Sequence, residues 1–507
     1  MALLYDATLT PGKLDLIAGW ITGQRWYAGS SRGPLPVEQL RHVGRWRVDD
    51  PAGEVGCEVH LVADDSGVAA GGEPVIYQVP LTYRGAPLAG GEAALVGEME
   101  HSVLGHRWVY DGCHDPVFAA ELLGLTLGRV GAMSSTTSDA PEPDVVGHRH
   151  PDWGSELSVG SSRVLTGEQT NTSIVHTCTD ASGAPVSVIT KVFRVLAAGR
   201  NPDIELQGVL SAAGSTRVPR SVGHVTGRWR PENRDARPES SAAPLVDGDL
   251  TFTSVFLDGA VDAWRVTLAL LRDGLPGIEE RAAALAEATA EVHSVLAQRC
   301  LTRPVTDADV DAVIAGMQQR LAAAVAAAPE LEGLRPAILE VFERARAAQW
   351  PRLQRIHGDL HLGQALDVPE RGWVLIDFEG EPLRPLAQRS ELDQPWRDVA
   401  GMLRSYDYAG AVADSPEASA AAARAEAAFL EAYLSAISAD AATTDPAGPE
   451  ITAPAITTLD TTALLDAYVL DKALYEVDYE ARHRPTWLPL PVNAITRLIA
   501  HRRSTEI

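Results

Sequence analysis

Residues 355–382 read RIHGDLHLGQALDVPERGWVLIDFEGEP. Four polar side chains, His357, Asp359, His361 and Gln364, precede an apolar run from Trp373 to Ile376, and that run stops on Asp377. A short apolar run between turn residues predicts a buried strand flanked by loops. Carboxylates so close to strand residues either satisfy a structural network or hold something charged. Phosphoryl transfer needs a carboxylate to orient or deprotonate the attacking hydroxyl, and oxygen ligands for magnesium. Asp359 suits the base, Gln364 offers an amide oxygen, and Asp377 at the strand end suits the metal. Gly358 allows the tight backbone that such a loop requires. Each residue alone reads as an ordinary turn or a solvated strand end. Together, in this order, they read as the catalytic loop of a kinase.

Such a kinase also needs a cation on the nucleotide phosphates, held by a carboxylate from a nearby helix. Lys191 in VSVITKVFR lies on a predicted strand, and Glu205 in NPDIELQGVL on the helix predicted next. A lone strand lysine reads as a solvated edge residue, but upstream of this loop Lys191 takes the phosphate role. The turn in LTGEQTNTSIV is not a G-x-G-x-x-G loop. It still predicts phosphate contacts from Gly167 and from the N–H groups or hydroxyls of Thr170, Thr172 and Ser173. SVFLDGAVDAW, residues 254–264, is expected to be a hinge whose backbone, at Val255 and Leu257, takes the adenine.

At 507 residues the chain exceeds one simple core, so two or three domains are expected. A hydrophobic fraction of 45% and a charged fraction of 22% are those of a soluble globular protein. The net charge of −25, with no dense Lys/Arg cluster, excludes a nucleic-acid footprint. A nucleotide stays compatible, because metal ions and a few placed cations neutralise phosphates locally. Cys57, Cys113, Cys178 and Cys300 lie far apart without a C-x-x-C pair, which predicts reduced thiols. The N-terminal stretch lacks the pattern of a signal peptide, and no apolar run reaches about 18 residues. A cytoplasmic protein without a membrane partner is the expectation.

Ser134–Gly160, Arg228–Asp247 and Ser438–Pro454 are polar and proline-punctuated, which predicts linkers or long loops. Ahead of them, EVGCEVHLVA and EPVIYQVPLTYRG alternate as strands do, and DPVFAAELLGLTLG reads as a helix. SRVLTG, TSIVHTC, VSVITKVF and LTFTSVF read as strands, with a helix at 202–213. Residues 264–436 and 459–499 are mostly helical, with Ala-rich segments at helical spacing. The expected fold is α+β: a bilobal, protein-kinase-like fold with a β-rich N-lobe, a helical C-lobe and an extra β-rich N-terminal cap. The expected boundaries are 1–130 for the cap, 131–156 for a linker, 157–257 for the nucleotide lobe and 258–507 for the helical lobe.

HGDLHLGQ with IDFEGEP resembles the bacterial kinases related to aminoglycoside phosphotransferases. QRWYAGSSRG (24–33), GEMEHSVLGHRWVYDGCHDPVFA (97–119), GEQTNTSIV, PWRDVAGMLRSYDYA (395–409) and LDKALYEVDYEARHRPTWLPLP (470–491) extend the resemblance to the actinobacterial maltokinase family. That resemblance implies ATP-dependent, magnesium-dependent phosphorylation of maltose at its anomeric hydroxyl, giving maltose 1-phosphate for α-glucan synthesis. It implies Asp359 as base, Gln364 and Asp377 as magnesium ligands, and Lys191 with Glu205 as the phosphate-positioning pair. Asp398 in WRDVAG is implied as the anchor of the catalytic loop, and association with enzymes of trehalose and α-glucan metabolism is implied too. The family usually carries Lys after WYAG, where this chain has Ser30. Residues 134–143, 232–242 and 438–454 look like insertions.

A disaccharide needs carboxylates or amides for its hydroxyls and aromatic faces for its rings. Glu379, Glu381, Arg404, Tyr408, Tyr479 and Arg482 are the expected sugar contacts, with Tyr475, Glu480 and Trp487 beside them. Tyr475 and Tyr479, at i and i+4, read equally as a buried helix stripe. Two alternatives stay open: a kinase for another sugar such as glucosamine, and a non-catalytic nucleotide-binding pseudokinase.

Overall fold

The computed structural model describes residues 6–29, 31, 33–68, 73–137, 139–154, 156–167, 170–230, 245–381, 384–443 and 457–505. Ser30, the expected insertion at 232–242 and most of that at 438–454 lie outside the described residues. The chain divides into two compact units, Met1–Gly208 with Arg220–Asp258 and Val209–Pro219 with Gly259–Ile507.

The first unit begins with β1 (Leu9–Thr10), α1 (Lys13–Trp20), β2 (Leu40–Asp49), β3 (Gly56–Asp64), β4 (Val75–Arg84), β5 (Leu95–His101), β6 (Gly105–Asp111), α2 (Pro116–Thr126) and β7 (Met133–Ser134). These strands form an antiparallel sheet in the order β1-β5-β6-β4-β3-β2-β7. The HDPVFA motif starts α2 by ordinary capping chemistry. Asp115 accepts the Val117 N–H at 3.0 Å, and Pro116 occupies the first turn, where its missing N–H costs nothing.

Next come β8 (Val145–Arg149), β9 (Leu157–Val164), β10 (Asn171–Asp180), β11 (Pro185–Phe193), β12 (Val195–Leu196), α3 (Pro202–Ala212), β13 (Ser221–Trp229) and β14 (Val246–Val255). A second antiparallel sheet runs β8-β13-β14-β11-β10-β9, while β12 crosses over to pair with β4 of the first. Residues 131–156, expected as a linker, therefore hold β7 and β8. Only Val145 of the five residues in β8 is buried, so alternation is too weak there to mark a strand.

One apolar core joins the two sheets. Trp46, Val59 and Leu61 of the first pack with Phe118 and Leu122 of α2 and with Val192, Val225 and Phe252 of the second. At the crossover stands Arg194, fully buried between β11 and β12. Its Nη2 donates to Asp111 Oδ2 at 2.5 Å and its Nε to Thr172 Oγ1 at 2.9 Å. Burial works against the guanidinium charge, and the Asp111 carboxylate outweighs it.

The second unit holds β15 (Val261–Asp262), α4 (Ala263–Asp273), α5 (Ile278–Arg299), α6 (Asp307–Ala327), α7 (Arg335–Ala347), β16 (Ala365–Val368), β17 (Gly372–Leu375), α8 (Leu386–Arg389), α9 (Pro395–Ala413), α10 (Pro416–Thr443), α11 (Thr458–His483) and α12 (Pro489–Thr505). The strand expected in 355–382 is a hairpin of β16 and β17, extended by β15. Helix α5 packs against α10, and α11 against α9, α6 and α7. Among the described residues, no helix is long and apolar enough to cross a membrane. The α+β class stands, with a β-rich N-terminal part and a helical C-terminal part.

Removing one member of a buried ion pair strands the other. Arg194→Met should destabilise the protein by about 3–5 kcal/mol, and Arg194→Met with Asp111→Leu should recover part of that loss. Urea unfolding of the three proteins measures it.

Candidate active site

The HGD loop is held from below. Asp398, in the first turn of α9, is 1% exposed. Its Oδ2 accepts the His357 N–H at 2.8 Å, and its Oδ1 accepts the Gly358 N–H at 2.9 Å. His293 of α5 lies 3.0 Å from Oδ2 through Nε2 and 2.9 Å from the Tyr433 hydroxyl through Nδ1. Burial pushes the Asp398 carboxyl up, and the hydrogen bonds from His293 and from the Gly358 amide help bring it below the usual range. The helix can come this close because position 401 is glycine. A Cβ there would stand 2.4 Å from the Leu360 carbonyl. Gly358 itself takes φ +85°, the left-handed region that costs an L-residue roughly 1–2 kcal/mol.

Both loop histidines serve the backbone. His357 accepts the Asp359 N–H at Nδ1, at 3.4 Å, and reaches the Ile376 carbonyl from Nε2 at 2.9 Å. His361 accepts the Gly363 N–H at 3.0 Å.

Asp359 has a cationic neighbour, in the 470–491 block, to which the sequence reading gave no role. Lys472 of α11 donates to Asp359 Oδ1 at 3.1 Å and to Glu381 Oε1 at 3.2 Å. Burial raises the Asp359 carboxyl, and Lys472 with His361 more than offsets it, so the group sits below the ordinary carboxylate range. Burial works against the Lys472 charge in turn, and Asp359 and Glu381 outweigh it. The pair is ionised as a unit.

Gln364 lies just before β16, and Asp377 follows β17 in the left-handed region, at φ +66°. The amide nitrogen of Gln364 donates to Asp377 Oδ2 at 2.8 Å. The hairpin register thus joins an amide and a carboxylate 13 residues apart, as an all-oxygen donor pair of the kind hard divalent cations take. Magnesium fits these residues. Arg389 of α8 lies near Glu379, Asp377 and Asp359; burial pulls its guanidinium down, and those carboxylates support it.

In the first unit, Lys191 of β11 donates to Asp203 Oδ2 at 3.0 Å. Asp203 stands in the first turn of α3, as does Glu205, the partner named from the sequence, two residues on. Gly167 and Thr170 lie in the turn before β10. Thr172 and Ser173 belong to β10 and are buried. The Thr172 hydroxyl, expected as a phosphate contact, accepts from Arg194 at 2.9 Å. Val255 ends β14 with its N–H on the Arg220 carbonyl at 2.9 Å, which leaves that donor unsuited to adenine. Leu257 lies one residue before the end of the first unit.

The expected sugar contacts separate. Glu381 stands beside Asp359 through Lys472, and Glu379 lies near Arg389. Arg404 is corrected: it is 3% exposed and tied to Glu476 Oε2 at 2.6 Å and to Asp407, so it braces α9 against α11. Arg482 pairs with Asp478 at 2.9 Å on a solvated face of α11. Tyr408 donates to Glu480 Oε1 at 2.8 Å and stacks on Trp487 at 5.7 Å. Tyr475, Tyr479 and His483 stack in sequence along α11, and the Lys472 ammonium lies 4.9 Å from the Tyr475 ring centroid.

Residues 20–115 match the maltokinase N-terminal cap domain. A glucosamine kinase of Streptacidiphilus jiangxiensis is 29% identical over 374 residues, covering 68% of this chain and 75% of that protein. One of Mycolicibacterium smegmatis is 28% identical over 371 residues, covering 70% and 83%. A solved glucosamine kinase, in complex with glucosamine, ADP and inorganic phosphate, superposes with a TM-score of 0.60 at 23% identity over 96% of this chain and 99% of its own. The fold is shared along nearly the whole chain. The resemblance read from the sequence stands: the chain carries the maltokinase cap domain and shares its fold with the solved glucosamine kinase.

Asp398→Ala should leave the His357 and Gly358 amides without an acceptor, at about 1–3 kcal/mol for each buried donor unsatisfied. Asp398→Asn, which keeps one acceptor oxygen, should lose less. Amide exchange at His357 and Gly358 and thermal unfolding test this. The depressed Asp398 carboxyl contributes stability above its unfolded value, about 3.9, and that part should be lost as pH falls through the folded value.

Proposed function

We propose that this chain, with its maltokinase cap domain, is an ATP-dependent sugar kinase in which Asp359 is the base. One observation carries the reading: a carboxylate kept ionised by Lys472 on a loop whose preceding amides are gripped by Asp398. An ordinary turn has no need of that double support. The solved glucosamine kinase with bound ADP agrees in reaction type.

In the proposed step the acceptor oxygen bonds to the γ-phosphorus as the bond to the β,γ-bridging oxygen breaks. The hydroxyl proton passes to Asp359, and ADP leaves. Gln364 and Asp377 would hold magnesium, which when bound neutralises charge on the phosphate oxygens. Lys191, oriented by Asp203, would take the nucleotide phosphates, with the turn at Gly167 and Thr170 beside them and the backbone at Leu257 against the adenine. Glu379 and Glu381 would face the sugar.

Maltose, phosphorylated at its anomeric hydroxyl, is the acceptor we infer, with maltose 1-phosphate serving α-glucan synthesis. The cap-domain match supports it. Glucosamine is the second reading, favoured by the names of the relatives along more than two thirds of the chain.

ADP release with ATP, magnesium and a panel of sugars should show turnover of maltose above glucosamine. Turnover of glucosamine alone would replace the first reading with the second. Asp359→Asn should lower kcat by about 10²–10⁴ while nucleotide binding, followed by calorimetry, persists.

A further inference from the structure

Lys472 lies 113 residues beyond Asp359, on a helix that contributes nothing to the HGD loop itself. We propose that Lys472 is the positioning residue of the acceptor site: it fixes the orientation and the charge of Asp359, and Glu381 fixes Lys472. The inference rests on the reading of Asp359 as the base.

A lysine ammonium carries three N–H donors on a flexible stem, and in water it holds no single direction. Here three neighbours define it. Asp359 Oδ1 lies at 3.1 Å, Glu381 Oε1 at 3.2 Å, and the Tyr475 ring centroid at 4.9 Å. The side chain is 18% exposed, so solvent competes weakly for it.

The helix that carries it is braced on both sides of position 472. Asp471 accepts from Arg320 of α6 at 2.5 Å, and Glu476, one turn on, accepts from Arg404 of α9 at 2.6 Å. These ties explain why Arg404 is buried and committed. They set the height of α11 against the loop, and so the distance from Nζ to the base. A misplacement of about 1 Å in such a group costs catalysis heavily.

The groups facing Asp359 come from every element around it. His357 and His361 belong to its own loop, Lys472 and Tyr475 to α11, and Arg389 to α8. Asp377 acts through His361, and Glu381 through Lys472. Burial alone would favour the protonated acid, which cannot accept the acceptor's proton. Lys472 is the largest charge opposing it. An ammonium within 4 Å shifts a carboxyl down by about 1–3 units.

The test uses the full chain with Lys472→Met, Lys472→Arg and Glu381→Gln. In Lys472→Met the acid limb of kcat/KM for the sugar should move up by about 1–3 pH units. Lys472→Arg, which keeps the charge, should hold the limb near its original pH while kcat falls, and Glu381→Gln should move it less than Lys472→Met. A merely structural lysine would change amplitude and leave the limb in place. The same titration is read without turnover from the Asp359 carboxyl carbon by NMR, assigned with Asp359→Asn. An unshifted Asp359 titration in Lys472→Met overturns the proposal whatever the activity. A shifted titration in a protein that transfers phosphate to no sugar would sustain the pairing and remove the kinase reading.

Discussion

A single buried carboxylate governs the candidate site. Asp398 accepts two consecutive backbone amides of the HGD loop and faces His293, and nothing on the loop itself could replace that grip. The loop needs it because Gly358 is in the left-handed region, a conformation the chain adopts only where its surroundings over-determine it. Gly401 allows the approach, and His293, backed by Tyr433, orients the carboxylate. The geometry of the candidate site is thus distributed over α5, α9 and the loop.

A second layer of charge completes the arrangement. Asp359 and Glu381 share Lys472, while Gln364 and Asp377 share a hydrogen bond across the hairpin. One carboxylate is paired with an ammonium and the other with an amide, so their environments differ though they lie close in sequence. That difference suits different tasks: a base on one side and a cation ligand on the other. The first unit repeats the logic in Lys191 and Asp203, a strand cation on a helix carboxylate.

Legibility followed the range of the forces involved. Helices with long periodic faces, α5 and α6 among them, were plain, because burial of one face imposes a pattern on neighbouring residues. Strands with sustained alternation, β3, β4, β10 and β11, were equally plain. Short strands with little buried surface, such as β8, were not, since pairing through the backbone leaves almost no trace in side-chain type. The order His-Gly-Asp, Gln and Asp marked the candidate loop, because phosphoryl transfer would need those groups in one local segment. Arg404 was misjudged because an arginine near active-site residues looks the same in sequence whether it braces a helix or faces a ligand.

The sequence by itself determined the class of fold and the division into a β-rich and a helical part, and it marked the candidate loop, because each rests on local periodicity or on residues close together in the chain. Only the tertiary structure decided the partners. Lys472 on Asp359, Asp203 on Lys191, Thr172 on Arg194 and Glu476 on Arg404 are pairings between separate elements. Each depends on which face of a helix or strand meets its neighbour, and core packing sets that to a fraction of a turn. Hydrophobic pattern specifies that a face is buried, but the charge that meets a given charge is fixed only when the elements dock.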